Sequence, residues 1–268
     1  MAQKIDTGTD NLHGFIDGLI GRIIFNKPEK HNAVSIDMWL ALTNIIENFE
    51  QNKNIRVIIL SGAGDKAFIS GADISEFNKV RTGLKAVAEY DKIAELATQR
   101  LYSAKIPTIA MINGYCIGGG LGIAIACDIR LASLNSSFAI PAAKLGLGYG
   151  TKGVQRIVNL IGPAFARELL ITAEQFNADD ALAMGLINRT IKKESLINYT
   201  EKYANGITQN APMTIFAARE SIKAIQENKI KNYKDYLEGL VEKCFSSEDY
   251  AEGRSAFKQK RKPSFKGK

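Results

Sequence analysis

Short apolar runs alternate with longer amphipathic stretches in the first two thirds of the chain. Two apolar runs within residues 15–25 lie on either side of Asp17-Gly18, a dipeptide that adopts the backbone angles of a hairpin turn. Ser35 precedes an amphipathic stretch containing Met38 and Leu40, and a continuous apolar run at 56–60 follows at a helix's distance. The pattern predicts an antiparallel hairpin and then a β-α-β unit.

The same alternation recurs further along the chain, with helical and strand patterns at 84–104, 108–112, 119–126, 129–132 and 186–190. From about residue 194 onward the pattern is helical without interruption, and Pro212 lies at a predicted helix start. No linker rich in glycine, serine or proline separates the two parts. We therefore predict an α/β core over residues 1–193 and a helical C-terminal appendage over residues 194–268.

Composition agrees with a globular protein that stays in the cytoplasm. The 268 residues are 46% hydrophobic and 24% charged, which allows one large domain or one domain with an appendage. The first ten residues are polar and lack the apolar region of a secretion signal. The longest apolar run, residues 116–127, is too short and too rich in glycine to span a bilayer. We expect no association with a membrane.

The net charge of +7 is concentrated at one end of the chain. Six positive charges lie in the last eleven residues, which contain no acidic side chain, so the rest of the chain is nearly neutral. Such a tail is compatible with RNA, an acidic lipid surface or a phosphate-bearing cofactor. The three cysteines are an odd number without a CxxC spacing, which argues against a disulfide framework and against a zinc site.

Two glycine-containing segments lie where a predicted strand leads into a predicted helix. They are AFISGADI at 67–74 and NGYCIGGGLG at 113–122. The first N–H groups of a helix have no partner inside it and carry its positive dipole end, so they can bind an oxyanion. Two such junctions side by side would form a site with two donors. The glycine run alone is equally compatible with a tight turn and close helix packing.

Together the two segments resemble the crotonase (enoyl-CoA hydratase/isomerase) family, in which AF-x-x-GADI and NG-x-x-x-GGG segments supply an oxyanion hole for acyl-CoA thioesters. The similarity extends to PEKHNAV at 28–34, CDIR at 127–130, the segment 178–188 and the ending GRSAFKQKRKPSF at 253–265. The resemblance implies a spiral ββα core. It also implies that the helical region 194–268 forms the interface of a homotrimer or of a hexamer built from two trimers.

The resemblance further implies which residues bind substrate. The backbone amides of Ala72 and Gly119 become the two oxyanion donors. Contacts with coenzyme A are implied for Ala72 and also for Glu29, Lys30, His31, Asp73, Ile74 and Lys260. Coenzyme A would enter as part of the acyl-CoA substrate, so we expect no permanently bound cofactor and no metal. The basic tail then has a role without nucleic acid, which we do not expect as a partner.

The chain departs from the family at the two positions that carry the chemistry of hydration. The hydratases use two glutamates to add water across the double bond, and here Gly122 and Ala142 occupy those positions. Loss of an acid or base typically costs about two to four orders of magnitude in rate. Ordinary hydration of a 2-enoyl-CoA is therefore expected to be slow.

Three hypotheses follow. The first is an enzyme of the enoyl-CoA hydratase/isomerase family, a lyase or isomerase that stabilises an enolate-like oxyanion. The second rests on residues 138–149, which are similar to a loop of the methylmalonyl-CoA decarboxylase branch, so that Tyr149 would donate a proton after loss of CO2 from a malonyl-type acyl-CoA. That branch, however, has a histidine where this chain has Ala72 and a glutamate near Gly122. The third is an acyl-CoA-binding or RNA-binding protein without catalysis. A dehalogenase branch is disfavoured because it requires an aspartate near Gly150.

Overall fold

The computed structural model describes residues 2–73 and 83–268, without the side chain of Leu84. The chain opens with β1 (Gln3–Ile5), β2 (Leu12–Asp17) and β3 (Ile20–Phe25), which pair in antiparallel fashion. The predicted hairpin is confirmed, but its two turn residues are Gly18 and Leu19, since Asp17 pairs with Ile20. Gly18 has φ 59°, the positive value that the first central residue of such a turn needs.

The following elements confirm the predicted alternation of strands and helices. They are α1 (Ile36–Gln51), β4 (Val57–Gly62), β5 (Ala67–Ile69), α2 (Leu84–Tyr102), β6 (Thr108–Ile112), β7 (Tyr115–Ile117), α3 (Gly119–Ala126), β8 (Ile129–Ser133), β9 (Ser137–Ala139), α4 (Thr151–Thr172), β10 (Phe176–Asn177), α5 (Ala178–Ala183) and β11 (Arg189–Ile191). Helix α4 is broken in its middle by Gly162, at φ 73° and ψ 168°, followed by Pro163.

The strands form two sheets. The larger one has the order β1-β2-β3-β4-β6-β8-β11 and is parallel from β3 onward, and the smaller one has the order β10-β9-β7-β5. Successive units contribute one strand to each sheet before a helix follows, as in β6-β7-α3 and β8-β9-α4. This is the predicted spiral ββα arrangement. It sets the end of β5 and the end of β7 beside each other, because these two strands are neighbours in the small sheet.

Helix α1 packs on the core through an apolar stripe that includes Met38, Trp39, Leu42 and Ile46. The prediction that Leu40 shares this stripe is wrong, and its side chain is 51% exposed. Residues two apart on a helix point to nearly opposite sides, so Leu40 cannot face inward together with both Met38 and Leu42. Trp39, which the pattern did not single out, is buried instead and reaches the site described below.

From residue 193 onward the described elements are helical: a short turn at Lys193–Ser195, then α6 (Leu196–Thr208), α7 (Pro212–Gln226), α8 (Ile230–Phe245) and α9 (Glu248–Lys258). Pro212 begins α7, as predicted. Arg219 on α7 donates to Asp128 Oδ1 at 2.8 Å and to the carbonyl oxygen of Ala104, which joins the appendage to the core. The last residues fold back, with Arg56 donating to the carbonyl oxygen of Phe265 at 2.7 Å.

Candidate active site

A cavity of about 460 Å³ opens where Ala72 follows β5 and where β7 leads into α3. Its walls come from α1, α2, α3 and the start of α4, and they are mostly apolar. The lining includes Trp39, Ala72, Glu95, Gly119, Gly122, Ile125, Ala142, Tyr149, Gly153 and Arg156. The structure thus brings together both predicted oxyanion donors, both positions that lack a glutamate, and Tyr149.

The Ala72 amide points into this cavity because of how its neighbours are bonded. The Gly71 carbonyl accepts from Val34 N at 2.8 Å, and Asp73 N donates to the Val34 carbonyl at 3.0 Å. Peptide groups alternate in direction along an extended segment, so the N–H of Ala72 faces away from Val34. No described hydrogen bond uses this N–H within residues 2–73 and 83–268.

Gly119 contributes the second amide from the first position of α3, where an N–H has no partner inside the helix. A Cβ built on Gly119 would lie 3.9 Å from Ala72 N and 3.6 Å from the Trp39 ring, so the two amides border the same space. The helix dipole makes this end positive. The arrangement can accept a developing negative charge on one carbonyl oxygen of a ligand.

Gly118, Gly119 and Gly120 differ in what makes a side chain unfavourable at each position. A Cβ on Gly120 would lie 2.3 Å from the carbonyl oxygen of Ile69, so close packing against β5 requires glycine there. Gly118 has φ 55°, which favours glycine for its backbone conformation. At Gly119 neither reason applies, since a Cβ would meet only ordinary contacts. The missing side chain at Gly119 leaves room for a ligand rather than for the protein.

The predicted coenzyme A loop lies outside the lining of the cavity but is tied to it. Glu29 and Lys30 form a short helical turn and His31 follows at φ 51°. Ser70 N donates to the His31 carbonyl at 3.0 Å, which connects the loop to the Ala72 segment. The His31 ring lies 5.9 Å from that of Tyr115, which is half-exposed. The amides of Lys30 and His31 donate to the carbonyls of Lys27 and Pro28. The contacts of Glu29, Lys30 and His31 with coenzyme A stay predictions.

Asn32 anchors this loop, a role that the sequence pattern did not indicate. It is buried at φ 57°, its Nδ2 donates to the carbonyls of Ala63 and Ala67 at 2.9 and 2.8 Å, and its Oδ1 accepts from Lys27 N at 3.0 Å. Every polar atom of the side chain is therefore used. The Asn32 side-chain amide therefore joins the loop to Ala63, directly after β4, and to Ala67 at the start of β5.

Asn32→Asp is expected to destabilise the protein by about 2–4 kcal/mol, because a carboxylate oxygen would then face two carbonyl oxygens without a donor between them. The midpoint of urea unfolding checks this. Asn177→Asp is the matched control, since Asn177 Oδ1 only accepts from Asp179 N and Asp180 N at the start of α5, a position that aspartate suits equally. Equal midpoints for Asn32→Asp and the unchanged protein would contradict the assigned role.

Asp73 is committed to two lysines. Its carboxylate is buried and accepts from Lys27 Nζ at 2.7 Å and from Lys30 Nζ at 3.0 Å. Asp73 therefore holds these cations beside the loop, and its contact with coenzyme A stays a prediction. The predicted site residue Ile74 lies outside the described residues. Lys260 follows α9 at φ 54° with an exposed side chain, and no described contact joins it to the loop, so its role stays a prediction.

Tyr149 comes close to one position where the hydratase glutamates are missing. A Cβ on Gly122 would lie 3.6 Å from the Tyr149 hydroxyl oxygen, and a Cβ on Gly153 would lie 2.7 Å from Cε1 of the ring. The ring thus packs against the first turn of α4, and the hydroxyl lies near the space that a side chain at 122 would enter. Burial raises the pKa of Tyr149 to about 12, so the hydroxyl keeps its proton at neutral pH.

A carboxylate that sequence analysis missed also lines the cavity. Glu95 on α2 accepts from Arg156 on α4 through both oxygens, at 2.6 and 3.2 Å, and Arg156 also donates to Gln99 Oε1 at 2.7 Å. The two partners are 61 residues apart, so no local spacing links them. The signal that could have found Glu95 is the helical periodicity within 84–102, because it places residues 91, 95 and 98 on one face of the helix.

Other reactive groups are not arranged for catalysis or metal binding. Cys116 and Cys127 are buried. Burial raises the pKa of the Cys127 thiol to about 12 and that of Cys116 well above its ordinary value, so neither provides a thiolate at neutral pH.

Among the described residues no cluster of three histidine, cysteine or acidic side chains could hold a metal ion. Nor does the described part of the chain contain a helix long and apolar enough to cross a membrane.

Comparison with known proteins agrees with this geometry. A model of the family described as enoyl-CoA hydratase/isomerase matches residues 16–268. The short-chain-enoyl-CoA hydratase of Clostridium acetobutylicum is 34% identical over 248 residues, which cover 92% of this chain and 94% of that protein. The carnitinyl-CoA dehydratase of Salmonella agona is 31% identical over 264 residues, which cover 97% of this chain and 100% of that protein.

Solved structures show the same fold. The crystal structure of the enoyl-CoA hydratase from Bacillus anthracis superimposes with a TM-score of 0.88 at 30% identity and covers 97% of this chain and 100% of that one. An enoyl-CoA hydratase/carnithine racemase from Magnetospirillum magneticum gives a TM-score of 0.88 at 31% identity, with 97% of both chains covered. The predicted crotonase-like core with C-terminal helices is confirmed. The chain belongs to the enoyl-CoA hydratase/isomerase, or crotonase, family.

Proposed function

We propose that this protein is an enzyme that binds an acyl-CoA thioester and stabilises an enolate-like oxyanion between the amides of Ala72 and Gly119. The observation that carries the proposal is the convergence of two uncommitted N–H groups on one apolar cavity. In such surroundings each donor is worth about 3 kcal/mol of transition-state stabilisation. The acyl-CoA chemistry of the family agrees with this proposal. Coenzyme A would bind as part of the substrate, in contact with the loop at Glu29–His31.

The reaction is proposed to differ from ordinary hydration. Gly122 and Ala142 offer no acid or base. Of the carboxylates in the described lining, Asp91 and Glu95, the second is held by both terminal nitrogens of Arg156. Both oxygens of the Glu95 carboxylate are engaged with the guanidinium in this bidentate pair. The relatives named as hydratases therefore support the substrate class more strongly than they support the water chemistry.

Decarboxylation of a malonyl-type acyl-CoA is the second candidate, and the place and protonation of Tyr149 favour it. In this reaction the bond between the α-carbon and the carboxylate breaks, CO2 leaves, and the electron pair moves onto the thioester oxygen between the two amides. The Tyr149 hydroxyl then gives its proton to the α-carbon as the thioester carbonyl re-forms. Water returns a proton to the tyrosinate. No base is needed to activate water, which suits a site without the two glutamates.

Incubation with crotonyl-CoA and, separately, with methylmalonyl-CoA distinguishes the candidates. Loss of the 2-enoyl absorbance reports hydration, and released CO2 reports decarboxylation. Because both glutamates are missing, we expect hydration to be slower by at least about two to four orders of magnitude than such a pair would allow. Fast hydration would contradict our interpretation of Gly122 and Ala142. Release of CO2 would favour the second candidate, and binding without turnover of either thioester would favour an acyl-CoA-binding protein.

The pH profile provides a prediction for the second candidate. Because burial raises the pKa of Tyr149 to about 12, the donor stays protonated as pH rises, and the rate of product formation is expected to be flat from about pH 7 to about pH 10. A tyrosine of ordinary pKa would lose its proton near the upper end of this range and the rate would fall. A falling limb with an apparent pKa near about 10 in steady-state kcat would therefore contradict the assignment.

An RNA-binding role receives less support. Arg261 in the basic tail pairs with Glu252, at 2.6 and 2.8 Å, and Lys268 pairs with Glu248 at 3.3 Å. The amides of Lys266 and Gly267 donate to Asp249. The tail folds onto acidic residues of α9 instead of projecting as a free cationic arm. Part of its charge is therefore already neutralised within the chain.

We also propose that the region 194–268 forms the interface of a homotrimer or hexamer, as the resemblance implies. Helix α8 has no buried residue, and several of its large apolar side chains are 45% to 62% exposed in the isolated chain. These residues are Ile230, Tyr233, Tyr236, Val241 and Phe245. An amphipathic helix without a cover in its own chain is a common oligomer interface. Sedimentation velocity that shows a monomer at micromolar concentration would overturn this proposal.

A further inference from the structure

A second cavity adjoins the first. It has a volume of about 240 Å³ and is bordered by the end of α2, the end of α3, the middle of α4 and helix α7. Two side chains, Ile125 and Arg156, line both cavities. The remaining wall of the second cavity includes apolar side chains such as Leu160 and Ile222 as well as charged ones. Among the residues that the structure describes, Ile125 and Arg156 therefore form the partition between the acyl cavity and this additional space.

Arg156 is fixed in the partition from both sides. On the α2 side its guanidinium donates to Glu95, which lines the acyl cavity, at 2.6 and 3.2 Å, and to Gln99 at 2.7 Å. Toward the second cavity it lies over the ring of Tyr102, with Cζ 5.5 Å from the ring centroid. The Tyr102 hydroxyl in turn donates to Gln226 Oε1 at 3.1 Å. The side chain is only 8% exposed, so the group is held in place by charge, hydrogen bonds and a cation–π contact.

We propose that Ile125 and Arg156, with Arg156 braced by Glu95, form the floor of the acyl site and limit the length of the acyl chain. This inference rests on the proposed function, because it concerns the same acyl-CoA site. Methylene groups that reach the floor would have to displace Arg156 from its ion pair with Glu95. An apolar chain cannot replace the hydrogen bonds that the guanidinium would lose. Short acyl thioesters fit above the floor, and longer chains gain nothing from the cavity beyond it. Arg156 and Ile125 are thus specificity residues, without a part in the reaction.

The experiment measures dissociation constants for butyryl-, octanoyl- and dodecanoyl-CoA by titration calorimetry. These saturated thioesters test the acyl site without turnover. Burial of each additional methylene strengthens binding about fourfold where an apolar space receives it. In the unchanged protein this gain is expected to stop before dodecanoyl-CoA. In Arg156→Ala and in Ile125→Ala the gain is expected to continue, so that the ratio of dodecanoyl to butyryl affinity rises by about tenfold or more.

Two features of the design keep the result decisive. Ile125→Ala opens the partition from the α3 side without removing a charge, so it decides the question if Arg156→Ala does not fold. Arg167→Ala is the matched control, because Arg167 lies on the same helix with an exposed side chain away from both cavities, and its profile should equal that of the unchanged protein.

The outcomes separate this proposal from the one on which it rests. A longer chain preference in the folded partition variants supports the floor. An unchanged chain-length profile in both variants, each shown by circular dichroism to be folded, overturns the floor while leaving the proposed acyl-CoA function intact. Failure of the unchanged protein to bind any of the three thioesters overturns the proposed function and the floor together.

Discussion

Gly119→Ala is expected to lower kcat/KM for the acyl-CoA reaction by about 10²- to 10³-fold, the typical cost of losing one oxyanion donor. The added Cβ meets only ordinary contacts, at 3.6 Å from the Trp39 ring and 3.9 Å from Ala72 N, so the fold should tolerate it. Alanine also suits a helix better than glycine does. The methyl group nevertheless occupies the space that the thioester oxygen needs between the two amides.

Steady-state kinetics together with thermal unfolding check this expectation. Gly120→Ala is an informative contrast, because its Cβ would lie 2.3 Å from the Ile69 carbonyl oxygen and should therefore lower stability. The account predicts a stable but inactive Gly119→Ala and an unstable Gly120→Ala. Full activity in a folded Gly119→Ala protein would mean that the Gly119 amide does not hold the reacting oxygen.

Tyr149→Phe is expected to reduce formation of the decarboxylated product from methylmalonyl-CoA by about 10²- to 10⁴-fold, the usual contribution of a positioned proton donor. Phenylalanine keeps the ring on the first turn of α4, so acyl-CoA affinity should be nearly unchanged. The effect should therefore appear in kcat rather than in KM. Tyr199→Phe, an exposed tyrosine on α6, is the control for loss of a hydroxyl as such.

A companion variant tests the position of the hydroxyl rather than its presence. In Gly153→Ala the new Cβ would lie 2.7 Å from Tyr149 Cε1, so the ring must move while its hydroxyl remains. The helix itself should gain up to about 1 kcal/mol from the alanine. A loss of kcat in a folded Gly153→Ala protein would support the placement. If Tyr149→Phe and Gly153→Ala both keep the full rate, Tyr149 is not the donor.

Part of this account could be predicted from the sequence because its signals are local. The glycine segments at 67–74 and 113–122 each occur between a strand pattern and a helix pattern, and a helix start implies unpaired N–H groups wherever it occurs. The hairpin near Gly18 and the start of α7 at Pro212 follow equally from local backbone preferences. The resemblance to a family added the expectation that Ala72 and Gly119 act as a pair.

Other features depend on tertiary structure and left no local signal. The ion pair of Glu95 and Arg156 forms between two helices that are distant in sequence, so neither residue appears special by itself. Asn32 is an ordinary loop residue until the carbonyls of Ala63 and Ala67 are placed around it. The apolar character of Leu40 does not by itself show which face of α1 is covered, and its side chain is exposed.

The central claim is that two backbone amides polarise a thioester carbonyl, and isotope-edited infrared spectroscopy of bound butyryl-CoA labelled with ¹³C at the carbonyl tests it independently of the reaction. The account predicts that the carbonyl stretch moves to lower wavenumber on binding to the unchanged protein, and that Gly119→Ala abolishes most of this movement. A carbonyl stretch at the same wavenumber in bound and free butyryl-CoA, under conditions where calorimetry shows the site to be saturated, would contradict the account.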